Sequence, residues 1–305
     1  MELSIVSTIY NDAEIVPILV EKIRDAVIPL NIQYEIILVN DCSPDESEQA
    51  IAFVCEKYSN VRGITLSRNF GQQIAMTAGM HHAKGNFVVV MDGDLQNPPA
   101  SIPVLLEKIK TGYDIVYTVS YERNSWKDKV SSRFFWYFLS KILKVKVVPN
   151  QLMMKIMTRK FVQQFSAYNE INRSISGIIA DIGMKYAVLQ VENNKRTIGK
   201  SNYNFFKRMN LMIDIVISFS NAPLNFIIYL GLFILMASCI LGARDLYLYF
   251  FENVPEGFMT IHFTQYFFGS INVLLFGLIG RYLSNIYTEV RRRPIYIISK
   301  KHNLE

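Results

Sequence analysis

The sequence predicts an α/β fold, a mostly parallel sheet flanked by helices and followed by a membrane-associated segment. Three observations carry that expectation. Short Val/Ile-rich runs bounded by turn residues recur through the first 120 residues with helix-length segments between them, as parallel strands buried on both faces do. Asp92-Gly93-Asp94 follows one of these runs directly. Two later stretches, 223–243 and 258–279, contain no Lys, Arg, Asp or Glu. In a chain of 305 residues, 50% hydrophobic and only 19% charged, a disordered polymer and a generic nucleic-acid tail are both excluded. The net charge of +6 fits an anionic membrane face, a phosphorylated ligand or nucleic acid.

Taken in order, LSIVST near the N-terminus reads as a buried strand; it has neither the basic region nor the apolar block of a signal peptide. A helix is expected from Ile15 to Ala26, then the strand YEIILVN, then a helix opened by a capping box of Ser43 and Glu46. VRGITLS, a helix from about Gln72 and the strand NFVVVMD complete the alternation. Ligands of such sheets bind beyond the C-terminal strand ends, so residues 8–12, 40–43, 67–71 and 92–96 should line one crevice.

Between Trp126 and Lys144, Val130, Phe134, Phe138 and Ile142 recur every four residues opposite Lys127, Arg133 and Lys141. This pattern is that of an interfacial helix lying on a bilayer, with an ordinary core helix as the alternative. A similar juxtamembrane helix is expected over 204–220. The two uncharged stretches are long enough to span ~30 Å of hydrocarbon, the alternative being two buried core helices. Arg291, Arg292, Arg293, Lys300 and Lys301 follow the second stretch, whereas the link between the two has Arg244 against Asp245, Glu252 and Glu256. By the positive-inside rule both termini are cytoplasmic. The expected organisation is a cytosolic domain over 1–203, the juxtamembrane helix, two spans over 221–282 with a short external link, and a basic cytosolic tail over 283–305. Cys42, Cys55 and Cys239 lack metal-ligand spacing and read as small buried hydrophobes in a reducing compartment.

Two carboxylates one residue apart at a strand end can share a divalent cation that bridges a diphosphate, and oxygen ligands favour Mg²⁺ or Mn²⁺. The first strand is followed by no G-x-G-x-x-G, and Asn194 stands where a P-loop ending in Gly199-Lys200-Ser201 needs glycine. His81-His82 lacks zinc-binding spacing and reads as a helix end or a solvated face.

Tyr10-Asn11-Asp12, Asn40-Asp41-Cys42-Ser43, Leu66-Ser67-Arg68-Asn69-Phe70-Gly71, Thr77-Ala78-Gly79, the run DGDLQNPP from Asp92 and the tail from Gly280 to Pro294 together resemble family 2 glycosyltransferases of the dolichol-phosphate mannose synthase and bactoprenol glucosyltransferase type. The resemblance covers nearly the whole chain. It implies a GT-A fold that moves a sugar from a UDP-, GDP- or dTDP-linked donor to a membrane polyprenyl phosphate, with no nucleic-acid partner and a dimeric or tetrameric assembly. Carried over by position, Thr8, Tyr10, Asp12, Val39 and Asp41 hold the nucleoside, with Asp41 accepting from the base. Asp92, Asp94 and Gln96 serve the metal and diphosphate, with Arg68 and Gly93 beside them. Arg123, Lys127 and Arg133 face the lipid phosphate, and Arg196 and Ser201 belong to a loop that closes over the donor.

Some positions depart from the family pattern. Thr8 stands for Pro, Asp12 for Glu, Asn202 for Lys and Arg281 for Glu. The segment written D-x-G-D-F-R-L in the family aligns with 150–156, which puts Met153 in place of Asp and Lys155 in place of Arg. Methionine neither ligates a hard cation nor takes a proton. A phosphate acceptor, largely dianionic at neutral pH, needs no base, so the pattern fits a lipid phosphate better than a hydroxyl acceptor. The other expectation is a catalytically weakened relative that binds nucleotide sugar or lipid phosphate and partners another membrane protein.

Overall fold

The structure, a computed structural model, describes residues 1–120, 148, 151–170, 175–191, 229, 233, 236, 240, 247, 251 and 257–304. These fall into two compact units, one comprising the described residues up to 191 together with 293–304, the other those between 229 and 292.

The first unit is built on the expected alternation: β1 (Leu3–Ile9), α1 (Ile15–Val27), β2 (Tyr34–Asn40), α2 (Ser47–Lys57), β3 (Val61–Leu66), α3 (Gln72–His82) and β4 (Phe87–Asp92). Then come α4 (Ile102–Lys110), β5 (Ile115–Ser120), β6 (Gln151–Thr158), α5 (Arg159–Ala167), α6 (Ile175–Ile182) and β7 (Tyr186–Val191). Strand β8 (Ile298–His302) closes the sheet, whose order is β7-β5-β6-β4-β1-β2-β3-β8. The four N-terminal strands are mutually parallel, as their two-sided burial requires; β6 and β8 run antiparallel to their neighbours. Strand β1 lies inside the sheet between β4 and β2, and every one of its residues is buried.

Helix α1 covers one face with Ile15, Val16, Leu19, Val20, Ile23 and Val27, an i, i+4 stripe packed into a core with Ile5, Ile36, Leu38 and Met91. Helix α3 covers the other face, and Gly79 permits the close approach: a Cβ there would lie 2.3 Å from Val6 Cγ1 and 3.0 Å from Val39 Cγ2. At the end of the sheet away from the strand C-termini, fully buried Glu35 accepts from Ser4 Oγ and from Lys84 N at 2.6 Å and pairs with Arg62 at 2.6 Å.

The second unit contains α7 (Phe258–Val290), 33 residues that begin where the second span was expected and continue a further eleven residues past its expected end. Among the described residues no helix is long and apolar enough to cross a membrane. Thr260, His262, Thr264, Gln265, Ser270 and Asn272 interrupt the apolar character of α7, a dilution that a count of charges overlooks. The first expected span falls almost wholly outside the described residues. The expected helices over 126–144 and 204–220 lie outside them altogether. The tail expected as a basic extension instead contributes β8 to the sheet.

Candidate active site

The site is set by register. In the ladder, Thr8 at the end of β1 stands level with Val39 on one side and Asp92 on the other, so three expected residues share one rung at the C-terminal edge. Val39 is fully buried and its side chain faces α3, next to Gly79. Beyond this rung the chain takes up left-handed conformations at non-glycine residues: Asn11 (φ 57°), Cys42 (φ 52°) and Leu95 (φ 59°), after β1, β2 and β4 respectively. Such backbone costs about 1–3 kcal/mol per residue and gathers where a site must be shaped.

Asp41 is 3% exposed, and its two carboxylate oxygens accept from Phe70 N and Gly71 N, both at 2.8 Å. Burial raises its pKa, against which the two amides and the Arg68 guanidinium act. The carboxylate therefore organises the Ser67–Gly71 loop. Tyr10 is exposed, and Arg68 lies over the Phe70 ring at 4.0 Å. Gly71 (φ 94°) makes the turn into α3.

The expected capping box does not form. Helix α2 begins at Ser47, and Ser43 Oγ instead donates to Asp45 and accepts from Asn11 N at 2.8 Å. Asp45, two residues closer to the helix, accepts from Ser47 N at 3.1 Å and from Ala13 N at 3.0 Å. This network ties the β1 loop, with Asp12 in it, to the β2 loop.

Gly93 is required where it stands: a Cβ would lie 2.7 Å from Thr8 O and 2.8 Å from Ile9 Cδ1. Its neighbours are thereby held against the sheet edge. Asp94 is 8% exposed and accepts from Gln96 N at 3.1 Å. Asp92 accepts from the side-chain amide of Gln72 at the start of α3, a partner the sequence did not disclose because nothing in its spacing links residues twenty apart. Among the described residues no cluster of three His, Cys, Asp or Glu forms a cage. Two carboxylates one residue apart, with the Gln96 amide on Asp94, suit a hard cation that keeps open positions for water and phosphate oxygens. Arg123, Lys127, Arg133, Arg196 and Ser201 lie outside the described residues.

Residues 4–170 match the profile of Glycosyl transferase family 2. The chain belongs to that family. An uncharacterized glycosyltransferase of Synechocystis sp. is 33% identical to it, over 100% of this chain and 97% of the relative. The prophage-derived bactoprenol glucosyl transferase of Shigella flexneri is 30% identical, over 99% of both chains. A solved mannosyltransferase from Pyrobaculum calidifontis, in complex with GDP-Man and Mn²⁺, shares the fold at TM-score 0.52 and 16% identity, over 70% of this chain and 62% of that one.

In this glycosyltransferase the two departures lie on β6, the strand that pairs with β4. Lys155 pairs with Val90 of β4 and with Tyr117 of β5, is 1% exposed, and has its ammonium 5.9 Å from the Tyr117 ring centroid. Burial drives its pKa down to about 8, and the nearby charge of Asp92 opposes that drop. Because β6 runs antiparallel to β4, Met153 occupies the next position on that face toward the Asp92 end. Cys42 is exposed, contrary to expectation, since it sits in the left-handed turn after β2; Cys55 is buried, which pushes its thiol up to about 12. His81 and His82 form the last turn of α3, as expected of a helix end.

Proposed function

We propose that this glycosyltransferase moves a hexose from a nucleotide sugar to the phosphate of a polyprenyl phosphate at the cytoplasmic face of a membrane. The observation that carries the reading is the rung of Thr8, Val39 and Asp92, with Asp94 held just beyond it, in a chain aligned end to end with a relative named bactoprenol glucosyl transferase. Asp41, Tyr10 and the Ser67–Gly71 loop take the nucleoside. Asp92, Asp94 and Gln96 would hold Mg²⁺ or Mn²⁺, a cation that supplies positive charge at a leaving diphosphate. The acceptor oxygen enters opposite that leaving group and inverts the anomeric centre.

Met153 supports the choice of acceptor. With a second pKa of about 6, a phosphate monoester is largely dianionic at neutral pH and attacks without a base, so a site with methionine in the aspartate position still suffices. A hydroxyl acceptor would need that base. A bilayer location is supported by the uncharged stretch 223–243 and by the exposed apolar side chains of α7, among them Phe267, Phe276, Leu283 and Ile286. We place both termini on the cytoplasmic side from the arginine run after α7.

The test is incubation of the purified chain with UDP-, GDP- and dTDP-hexoses and undecaprenyl phosphate. Organic-extractable sugar that appears with Mn²⁺ and disappears with excess chelator or in Asp94→Asn supports the proposal. Donor binding with no lipid product from any of the three would favour the weakened relative.

A further inference from the structure

We propose that residues 296–299 of the C-terminal segment form a positioning element of the donor site, clamping β3 and α3 so that the loop between them sets both Asp41 and Asp92. The inference rests on the donor reading above.

Strand β8 lies antiparallel on β3, with Ile64 opposite Lys301 and Thr65 opposite Lys300; the register then shifts, and Leu66 meets Ile298. At that shift the two chains are held by extra bonds. Ser67 N donates to Ile297 O at 2.9 Å, and Ser299 Oγ donates to Thr65 O at 3.0 Å. The tail thus grips the last residues of β3 and the first of the Ser67–Gly71 loop. Its other grip is on the far end of α3, where the Tyr296 hydroxyl and His81 Nδ1 are 3.1 Å apart and the two rings lie 5.8 Å apart.

Between those two grips lie the contacts that matter for the donor. Phe70 N and Gly71 N hold the Asp41 carboxylate, and the Gln72 amide holds Asp92. An edge strand left bare at β3 would have a solvated outer face and freely fraying ends. With β8 in place the loop has a fixed start and α3 a fixed end. A nucleotide that binds the organised loop then stabilises the seated tail, and the seated tail raises nucleotide affinity by the same factor.

The experiment uses the full chain in detergent with UDP and with GDP, each with Mn²⁺, measured by calorimetry and hydrogen exchange. The doubly substituted Ser299→Ala, Tyr296→Phe chain should bind the nucleotide about tenfold more weakly, and in an Asp41→Asn background the same pair should cost less than about twofold. Asn303→Ala is the control for a merely structural role. Asn303 Nδ2 anchors the tail to Cys55 O at 2.7 Å and Val61 O at 2.9 Å, at the opposite end of β3, and its loss should leave nucleotide affinity unchanged. Nucleotide should also slow amide exchange across β8. Additive losses in the Asp41 background, equal losses from Asn303→Ala, or unchanged exchange in β8 would each overturn the inference while leaving the donor reading intact. If the unaltered chain binds neither nucleotide, the donor reading fails and the inference fails with it.

Discussion

At the scale of single residues, the site depends on a few positions that hold backbone in place. At one of them, Gly93→Ala forces a Cβ to within 2.7 Å of Thr8 O. The expected cost is about 1–3 kcal/mol of stability, read from chemical denaturation, together with loss of transfer. Gln72→Leu keeps the shape of α3 but removes the amide on Asp92, and Mn²⁺ affinity by calorimetry should fall about 10- to 100-fold. Asp45 gives a pH signature. Burial alone would raise its pKa, but the Ser43 and Ser47 hydroxyls and the amides of Ala13 and Ser47 outweigh burial and hold it below the usual carboxylate range. A carboxylate depressed in the folded state stabilises fully above its unfolded value, and that contribution fades as pH falls through the folded one. Thermal unfolding followed from neutral pH into acid should therefore show a smaller acid-side loss in Asp45→Asn than in the parent. Asp92 and Asp94 were legible in the sequence because a strand-end D-x-D is a local pattern. The role of Gln72 and the burial of Lys155 were not, since both come from pairing between strands and helices distant in the chain.

At the scale of elements, the alternating Val/Ile runs fixed β1 to β4 and α1 to α3 to within a few residues, because buried parallel strands and amphipathic helices each leave a local period. The alternation read from the sequence ends at β4, so β5 to β8 were not among its strands, β6 and β8 for opposite reasons. The first, QLMMKIMT, reads as a motif with departures; the second, ISKKH, reads as a charged tail whose lysines stay exposed on an edge strand. Edge strands commonly use lysine in this way, so charge concealed the strand. The buried pair at the base of β2 and β3 offers a test at this scale. Glu35→Ala leaves Arg62, Ser4 and the Lys84 amide without their acceptor, and should destabilise the sheet unit by about 3–5 kcal/mol in urea unfolding.

At the scale of the whole molecule, the proposed reaction puts the chemistry at the strand ends of the family 2 fold, and the distribution of charge and apolar residues along the chain supports the proposed lipid acceptor. In the proposed reaction the acceptor's own negative charge would do the work of a protein base, which makes the methionine at position 153 compatible with turnover. The most direct measurement is transfer of radiolabelled hexose from UDP-, GDP- or dTDP-linked donors to undecaprenyl phosphate by the purified chain, with Asp94→Asn beside it. Label entering the lipid fraction in a Mn²⁺-dependent manner, and lost in Asp94→Asn, is the predicted result. Label that never enters the lipid with any donor, or that enters it equally well in Asp94→Asn, would contradict the account.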